Sequence, residues 1–392
     1  MTPAARVQAA IELLDLIIAA ARSGGASADR LIADWFRTRR FAGSKDRRAV
    51  RELVYGAIRA CGEIPETGRA AMLRLAEGDS SIRQLFDGSP HAPYPLQDGE
   101  PVAGAGHAPG WLEESLAGSG IRQDELAGLL ERAPLDCRIN SLRQGRADQL
   151  PEPGEPTLAA HGLRFPTGTR VEQWEAYQAG AIEVQDTASQ LVCEAVGAMP
   201  GESIVDLCAG AGGKTLALAA AMDNRGRLLA CDIDRTRLSR LGPRAERAGA
   251  AMIETRLLNP GEEAALLADW AGLADAVLVD APCSGTGTWR RNPEARWRLD
   301  RRELERLVRA QAHVLDVAAG LVKPGGRLLY AVCSVLDAEG PDRVDAFLAA
   351  RPGWRADRPD LPAGRQRGQG IRLTPLHDGT DGFFVARLVS PC

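Results

Sequence analysis

The stretch at residues 203–215, Ser-Ile-Val-Asp-Leu-Cys-Ala-Gly-Ala-Gly-Gly-Lys-Thr, constrains the fold more than any other part of this chain. Its beginning predicts a short buried strand, small residues follow, and a helical pattern begins at Lys214. A strand, a glycine turn and a helix in this order bring backbone N–H groups and a helix N-terminus to a polar ligand. A purely structural tight turn is the alternative interpretation, because glycine adopts positive φ at little cost.

Acidic residues and cysteines follow the next predicted strands. Asp232 ends one strand, and its carboxylate suits the two hydroxyls of a ribose. Asp280 and Cys283 follow a second strand, and Cys333 follows a third. Because parallel strands end at one edge of an α/β sheet, we expect the glycine turn, Asp232 and both cysteines to face one cleft.

Strands and helices alternate from residue 181 onward, which predicts an open, mostly parallel sheet with helices on both faces. The last strand follows no long helix, so we expect it to enter antiparallel. The predicted strands are residues 203–207, 227–231, 251–255, 276–279, 326–331 and 383–388. The predicted helices are residues 186–197, 213–222, 235–248, 260–269, 300–321 and 338–350.

Helical periodicity also marks the N-terminal part, at residues 5–22, 28–37 and 45–61. Residues 88–110 contain five prolines and five glycines, which predicts a linker or an extended connection. Residues 137–143 have the polar alternation of a strand.

The charge is unevenly distributed along the chain. The net charge of −4 over 392 residues argues against a wholly basic nucleic-acid-binding coat. Residues 1–60 nevertheless hold eleven Lys/Arg against six Asp/Glu, and residues 289–309 hold eight Arg against four Asp/Glu. Both segments are candidates to face phosphates, and ordinary solvated helix faces are the alternative.

The eight cysteines and five histidines are scattered, with no CxxC pair. This pattern predicts neither a zinc site nor a disulfide framework, and it favours a reducing, cytoplasmic location. Leu13 to Ala21 is apolar, but Asp15 interrupts it and it is too short to span a bilayer. We therefore expect no metal, no membrane segment and no targeting segment.

Several motifs together resemble the RsmB/Sun family of RNA (cytosine-5) methyltransferases, which use S-adenosylmethionine. They are Asp-Leu-Cys-Ala-Gly-Ala-Gly-Gly-Lys-Thr in the glycine turn, Asp-Ala-Pro-Cys-Ser at Cys283, and Cys333-Ser334. Residues 185–190, Gln-Asp-Thr-Ala-Ser-Gln, and residues 381–386, Asp-Gly-Phe-Phe-Val-Ala, are also similar to that family. The resemblance covers about residues 130–390 and, more loosely, residues 5–60.

The resemblance implies an α/β protein with a Rossmann-like class I methyltransferase domain, whose mostly parallel sheet has seven strands. An all-α NusB-like RNA-binding domain and a small ferredoxin- or RRM-like α/β subdomain are expected before it. The expected divisions are residues 1–87 for the helical domain, 88–112 for the linker, 113–180 for the subdomain and 181–392 for the catalytic domain.

The resemblance also assigns roles to the cysteines. Cys333 is expected to attack carbon 6 of a cytosine, so that carbon 5 accepts a methyl group, and Cys283 is expected to assist product release. Asp280 is expected to bond the base or the methionyl end of the cofactor. A buried structural cysteine is the alternative for Cys333, and a structural cap is the alternative for Asp280 and Lys214.

Cofactor residues are carried over from the family's motifs. Relatives have an Asp near the adenine where this chain offers Asn259, so we expect altered contacts there. The expected cofactor-binding residues are Cys208, Ala209, Gly210, Ala211, Gly212, Gly213, Lys214, Asp232, Asn259 and Asp280.

Two sets of residues are candidate RNA contacts. Trp289 and Trp297 alternate with Arg290, Arg291 and Arg296, a composition that suits single-stranded RNA, although the tryptophans could instead pack the loop onto the sheet. In the Arg-x-Asn element of the subdomain, Arg138 and Asn140 are the candidates, with a strand-end hydrogen-bonding role as the alternative.

The sequence therefore predicts a monomeric cytoplasmic RNA (cytosine-5) methyltransferase, with small-subunit ribosomal RNA, naked or in a pre-ribosomal particle, as the favoured substrate. Transfer RNA is the nearest alternative. A non-catalytic RNA-binding assembly factor is the alternative from another class, and the presence of both Cys283 and Cys333 argues against it.

Overall fold

The computed structural model describes residues 1–143 and 150–392, and these residues form two compact units. The helical unit comprises Met1–Glu131 together with Thr288–Asp300. The sheet unit comprises Arg132–Gly287 together with Arg301–Cys392. The chain thus passes between the units after residues 131, 287 and 300, and the expected domain divisions after residues 87, 112 and 180 stay predictions.

Apolar residues at helical spacing build the core of the helical unit. Val7, Leu14 and Ile17 on the first helix and Val50 and Ile58 on the third are buried, and burial of such side chains is the main stabilisation of these helices. The three helices predicted here are correct to within two residues. The helices are α1 Pro3–Ser23, α2 Ala28–Thr38, α3 Ser44–Ala60, α4 Gly68–Gly78, α5 Ser80–Arg83, α6 Gly110–Gly118 and α7 Gln123–Leu130.

The proline- and glycine-rich segment at residues 88–110 is an extended connection packed on the helices. Ala103 is buried in the helical core, and its N–H donates to the carbonyl of Ala70 at 3.1 Å. Glu100 forms an ion pair with Arg69 on α4. These contacts fix the segment to the helical unit, so it does not act as a free linker.

The sheet unit contains a large mixed sheet whose core is parallel. In the order β7-β6-β5-β8-β9 the strands are parallel, and β13 then pairs antiparallel with β9, as predicted. The described part of the chain places nine strands in this sheet, where seven were expected. The strands Arg355–Ala356, Arg365–Arg367 and Gly370–Leu373 are not among the six that the sequence predicted. They have two, three and four residues, too few to show periodicity. The strands are β5 Ser203–Asp206, β6 Arg227–Asp232, β7 Ile253–Leu257, β8 Ala274–Asp280, β9 Val322–Val332, β10 Arg355–Ala356, β11 Arg365–Arg367, β12 Gly370–Leu373 and β13 Phe383–Val389.

Separate apolar clusters lie against the large sheet. One contains Leu191, Leu216 and Leu278, and another contains Trp270 and Tyr330. This is the layered α/β arrangement that the strand–helix alternation predicts. The helices of the sheet unit are α8 Glu175–Gln178, α9 Thr187–Val196, α10 Gly213–Ala221, α11 Arg235–Leu238, α12 Leu241–Ala248, α13 Glu263–Leu266, α14 Arg301–Leu321, α15 Pro341–Ala350 and α16 Pro375–Asp378.

A smaller antiparallel sheet precedes the large one in the chain. Its order is β2-β3-β1-β4, and Phe165, Val171 and Ile182 contribute to its own core. Asp136 on this sheet is buried and accepts hydrogen bonds from Arg164 and Thr187. The strands are β1 Leu135–Ile139, β2 Glu155–Pro156, β3 Gly162–Phe165 and β4 Ile182–Val184.

Candidate active site

The glycine turn after β5 leads directly into α10. Gly210 and Gly212 have φ of +57° and +85°, a region that glycine adopts readily. A Cβ on Gly212 would lie 2.0 Å from Cδ1 of Leu241, so a larger residue does not fit. Gly212 is the N-cap of α10, and the space where a Cβ of Gly213 would point is open. The positive end of α10 is therefore presented by residues without side chains.

Asp232, the last residue of β6, lies against this turn. Its Oδ2 accepts the N–H of Gly210 at 2.7 Å, and its Oδ1 accepts the N–H of Asp234 at 2.7 Å. Each carboxylate oxygen can accept a further hydrogen bond. The carboxylate is thus held in a fixed orientation and retains acceptor capacity.

Lys214 and Asp280 form an ion pair beside the turn. Lys214 Nζ donates to Asp280 Oδ2 at 2.7 Å, and the ammonium lies 5.4 Å from the ring centre of Phe383. Burial acts to lower the pKa of Lys214, but the Asp280 carboxylate and the neighbouring thiols outweigh it and raise that pKa above its usual value. Lys214 therefore keeps its positive charge at neutral pH.

Asp206 lies at the end of β5 and is fully buried. Thr215 Oγ1 donates to its Oδ2 at 2.7 Å, and its Oδ1 has no hydrogen-bond partner within the described residues. Burial raises the pKa of Asp206 to about 7, and the nearby Asp280 acts in the same direction. A carboxyl group with this pKa can exist in either protonation state at neutral pH.

Cys283 and Cys333 lie in contact at the ends of the adjacent parallel strands β8 and β9. Their Sγ atoms are 3.4 Å apart, and either thiol can be the donor. The Gly287 N–H donates to the carbonyl of Cys333 at 3.0 Å, which links the two loops. The hydrogen bond with Cys333 and burial raise the pKa of the Cys283 thiol well above its usual value. The Cys283 thiol is therefore protonated at neutral pH.

Glu339 and Gln311 lie behind the cysteines, and sequence reasoning missed both. Glu339 is fully buried and accepts hydrogen bonds from Ser284 and Ser334, the residues that follow the two cysteines. Gln311 on α14 donates to Glu339 Oε1 at 3.0 Å. The sequence feature that could have pointed to Glu339 is its position six residues after Cys333.

The other six cysteines lie outside this pair. All eight cysteines lie in the described ranges and are free thiols. Cys61, Cys137, Cys193 and Cys231 are buried, Cys208 is partly exposed, and Cys392 is exposed.

The structure does not support RNA contacts by Arg138 and Asn140. Both side chains are buried, with exposed fractions of 6% and 1%. Arg138 donates to Gln185 Oε1 at 2.8 Å, and Asn140 donates to the carbonyls of Gly180 and Ala248. The strand-end hydrogen-bonding role, the alternative interpretation, is the one that these bonds show.

The Trp/Arg segment after Gly287 belongs to the helical unit. Trp289 and Arg296 are fully buried, and Arg290 and Trp297 are 7% exposed. Arg296 donates to the carbonyls of Ile58 and Cys61 at 2.6 and 2.8 Å. The burial of Arg290 and Arg296 contradicts their predicted RNA contacts. Arg291 is half-buried, and its contact with RNA stays a prediction.

Asn259 is exposed just beyond β7, the strand next to β6. Its Nδ2 donates to Glu262 Oε2 at 2.7 Å, while the N–H of the preceding Leu258 donates to the carbonyl of Asp232 at 2.9 Å. Asn259 thus follows the strand beside Asp232, and its contact with an adenine stays a prediction.

The described residues form no candidate metal cluster and no membrane-spanning helix. Within residues 1–143 and 150–392, His, Cys, Asp and Glu side chains form no group of three or more that could hold a metal ion. In the same ranges, every helix is too short or too polar to cross a membrane.

These residues fit a methyl donor with a charged methionyl end and a ribose. The positive end of α10 and Lys214 suit a carboxylate, and the free acceptor capacity of Asp232 suits ribose hydroxyls. The unpartnered Oδ1 of Asp206 can accept a further donor.

A parallel sheet with an antiparallel β13, a glycine turn after β5 and an acid at the end of β6 defines a Rossmann-like class I methyltransferase fold.

The chain belongs to the RsmB/F family. Residues 195–389 match the family described as "16S rRNA methyltransferase RsmB/F". A "Probable ribosomal RNA small subunit methyltransferase B" of Synechocystis sp. is 33% identical over 301 residues, which are 71% of this chain and 66% of that protein. A "Ribosomal RNA small subunit methyltransferase B" of Shewanella oneidensis is 32% identical over 292 residues, 72% of this chain and 67% of that protein. The chain thus spans about two thirds of the length of these curated relatives.

Solved structures share the fold. The crystal structure of PH0851 has a TM-score of 0.75 and 24% identity, with 99% of each chain covered. NSun6 from Pyrococcus horikoshii, solved with SFG, has a TM-score of 0.64 and 18% identity, covering 72% of this chain and 98% of that one. At these identities the likeness establishes the fold alone.

Proposed function

We propose that this protein transfers a methyl group from S-adenosylmethionine to carbon 5 of a cytosine in RNA, with small-subunit ribosomal RNA as the substrate. The observation that carries the proposal is the pair of thiols, Cys283 and Cys333, in contact beside the Lys214–Asp280 ion pair. The names of the relatives support methyl transfer to ribosomal RNA. A methyltransferase for small molecules has no need of two adjacent cysteines.

The chemistry explains why a nucleophilic sulfur is needed. Carbon 5 of cytosine is a poor nucleophile, and addition of a thiolate to carbon 6 makes carbon 5 electron-rich. Cys333 is the proposed nucleophile, and Lys214 is close enough for its positive charge to interact electrostatically with Cys333.

Release of the product requires two bonds to break. The C5–H bond gives its proton to water, and its electron pair forms the C5–C6 double bond. The C6–S bond breaks, and its electron pair returns to the Cys333 sulfur. Cys283, which stays protonated and lies 3.4 Å from that sulfur, donates a hydrogen bond to it as it leaves.

The methyl donor is held at the glycine turn in this proposal. S-adenosylmethionine supplies an electrophilic methyl group on a sulfonium. The backbone from Cys208 to Gly213 and the Lys214 ammonium bind its methionyl end, and Asp232 accepts from its ribose. Asp280 orients Lys214 and faces the base, and Asn259 takes the place near the adenine.

The helical unit supplies the proposed RNA-binding surface. Arg37, Arg40, Lys45 and Arg48, in and around the turn between α2 and α3, are exposed. Phe41 in the same turn is 73% exposed and lines a groove of about 790 Å³ together with Trp35 and Arg39. An exposed ring among cations suits stacking on a base and contact with phosphates. This set replaces the buried Arg290 and Arg296 as the expected contacts.

The test of the proposal is bisulfite sequencing of RNA from cells that lack the gene and carry either the wild-type or the Cys333→Ala protein. We expect one cytosine of small-subunit ribosomal RNA to be methylated with the wild type, and methylation to fall below about 1% of that level with Cys333→Ala. Cys392→Ala, which removes the exposed thiol, is the control and should restore methylation. Full methylation with Cys333→Ala would contradict the nucleophile assignment, and methylation of a transfer RNA alone would contradict the substrate.

A further inference from the structure

A single buried carboxylate joins the two cysteine loops. Glu339, in the short 3-10 helix Asp337–Glu339, has no exposed surface. Its Oε1 accepts the N–H of Ser284 at 2.8 Å and Nε2 of Gln311 at 3.0 Å. Its Oε2 accepts the hydroxyl of Ser334 at 2.6 Å and the hydroxyl of Ser284. Each serine directly follows one of the two cysteines, so both loops are tied to one side chain.

Glu339 is itself held from two other elements. The hydroxyl of Tyr330 on β9 donates to the Glu339 backbone carbonyl at 2.6 Å. Gln311 on α14, besides its bond to the carboxylate, donates to the carbonyl of Pro282 at 2.9 Å. The carboxylate is therefore a fixed point, and it is not free to follow either loop.

We propose that Glu339 is a positioning residue that keeps Cys283 and Cys333 in contact, an inference that rests on the proposed function of this pair. An ionised carboxylate only accepts hydrogen bonds, and the donors from both loops converge on it. Removal of the carboxylate takes away the one acceptor that the buried Ser334 hydroxyl and the half-buried Ser284 share, so the tie between the two loops is lost. A displacement of about 1 Å at reacting groups lowers a rate by about 100-fold.

The first experiment measures the contact between the sulfurs without RNA. Diamide oxidises two thiols in contact to a disulfide and is itself reduced to the hydrazine. Peptide mass spectrometry of the full-length protein after diamide treatment gives the rate at which the Cys283–Cys333 disulfide forms. We expect Glu339→Ala to slow this rate by about tenfold, because the sulfurs are no longer held together. Disulfide formation at the wild-type rate in Glu339→Ala would overturn the proposal.

Asp136→Ala is the matched control. Asp136 is also a buried carboxylate of the sheet unit with several hydrogen bonds, but its donors are Arg164 and Thr187 on the small sheet and α9. We expect it to lower the unfolding midpoint and leave the disulfide rate unchanged. A slower rate in Asp136→Ala as well would show that loss of stability, not positioning, explains the effect, and would overturn the proposal.

Glu339→Gln keeps the proposal testable if Glu339→Ala does not fold. The amide oxygen accepts from Ser284 N–H and Gln311, and the amide N–H groups face the Ser284 and Ser334 hydroxyls, which can turn to accept. We expect a disulfide rate between that of wild type and that of Ser284→Ala combined with Ser334→Ala. Disulfide formation in Glu339→Gln as slow as in the variant with both serines replaced by Ala would mean that the amide replaces none of the hydrogen bonds of the carboxylate. That result would contradict positioning by hydrogen bonds.

Kinetics with an in vitro 16S ribosomal RNA transcript separates positioning from binding. We expect Glu339→Ala to lower kcat by about 100-fold and to leave KM for the RNA and Kd for S-adenosylmethionine unchanged. If wild type itself transfers no methyl group to the transcript while the disulfide rates behave as expected, the proposed function fails and the positioning of the thiols stands. Unchanged kcat in Glu339→Ala with an active wild type overturns the positioning role alone.

Discussion

The surroundings of the Cys283 thiol bear on its proposed role. The hydrogen bond with Cys333 and burial keep the pKa of Cys283 high, so Cys283 is a weak nucleophile at neutral pH and a suitable donor to the leaving sulfur.

Cys283→Ala is therefore expected to let Cys333 attack but to slow its departure. The expected result is an RNA–protein adduct that survives denaturing gel electrophoresis and accumulates with time. Cys283→Ala combined with Cys333→Ala is the control and should give no adduct. Normal turnover by Cys283→Ala without any adduct would remove the release role.

Single residues at the ends of strands were predictable because the topology of a parallel sheet determines where they lie. Cys283, Cys333 and Asp232 follow predicted strands, and the structure brings each to the same edge. Glu339 was not predictable in this way. It lies in a short 3-10 helix without periodicity, and Ser284, which it binds, is 55 positions away in the sequence.

At the scale of elements, the longest periodic stretches were predicted best. α1, α14 and β13 begin and end within two residues of their predicted bounds. The sequence at residues 289–297 predicted RNA contacts, with packing of the tryptophans as the alternative. Tryptophans among arginines suit nucleic acid and buried packing equally. Its partners on α3 are up to 238 positions away, so local sequence does not decide between the two.

Arg296 is expected to be a structural residue of the helical unit. Its guanidinium donates to the carbonyls of Ile58, Cys61 and Pro293, and burial lowers its pKa to about 10. Arg296→Met removes these buried hydrogen bonds and should cost about 3 kcal/mol of local stability. Faster hydrogen exchange of the α3 amides, measured by mass spectrometry, is the expected observation.

Arg298→Met is the comparison for that variant. Arg298 also donates to backbone carbonyls, those of Gly25 and Ala26, but its side chain is only half-buried. Water can replace the lost donor there, so the expected cost is about 1 kcal/mol or less. Equal exchange rates in the two variants would contradict the role given to burial at Arg296.

At the scale of the whole molecule, the net charge of −4 conceals an uneven distribution. The N-terminal 60 residues carry an excess of Lys/Arg, and the structure exposes those near the α2–α3 turn. In the second basic segment Arg290 and Arg296 are buried, whereas Arg301, Arg302, Arg306 and Arg309 are exposed. The helical unit is the one in which an exposed ring, Phe41, lies among exposed cations, so we expect RNA affinity to depend mainly on that unit and the methyl-transfer step on the sheet unit.

Reversal of charge at Arg40, Lys45 and Arg48 together tests this separation. Loss of these phosphate contacts should weaken binding of a 16S ribosomal RNA transcript and reduce the slope of log Kd against log salt concentration by about 2. Because these exposed side chains belong to the helical unit, kcat at saturating RNA should stay at the wild-type value. The control reverses Arg83 and Arg122, exposed cations elsewhere in that unit, and should change the slope much less. An unchanged slope in the triple variant would place the RNA-binding surface elsewhere.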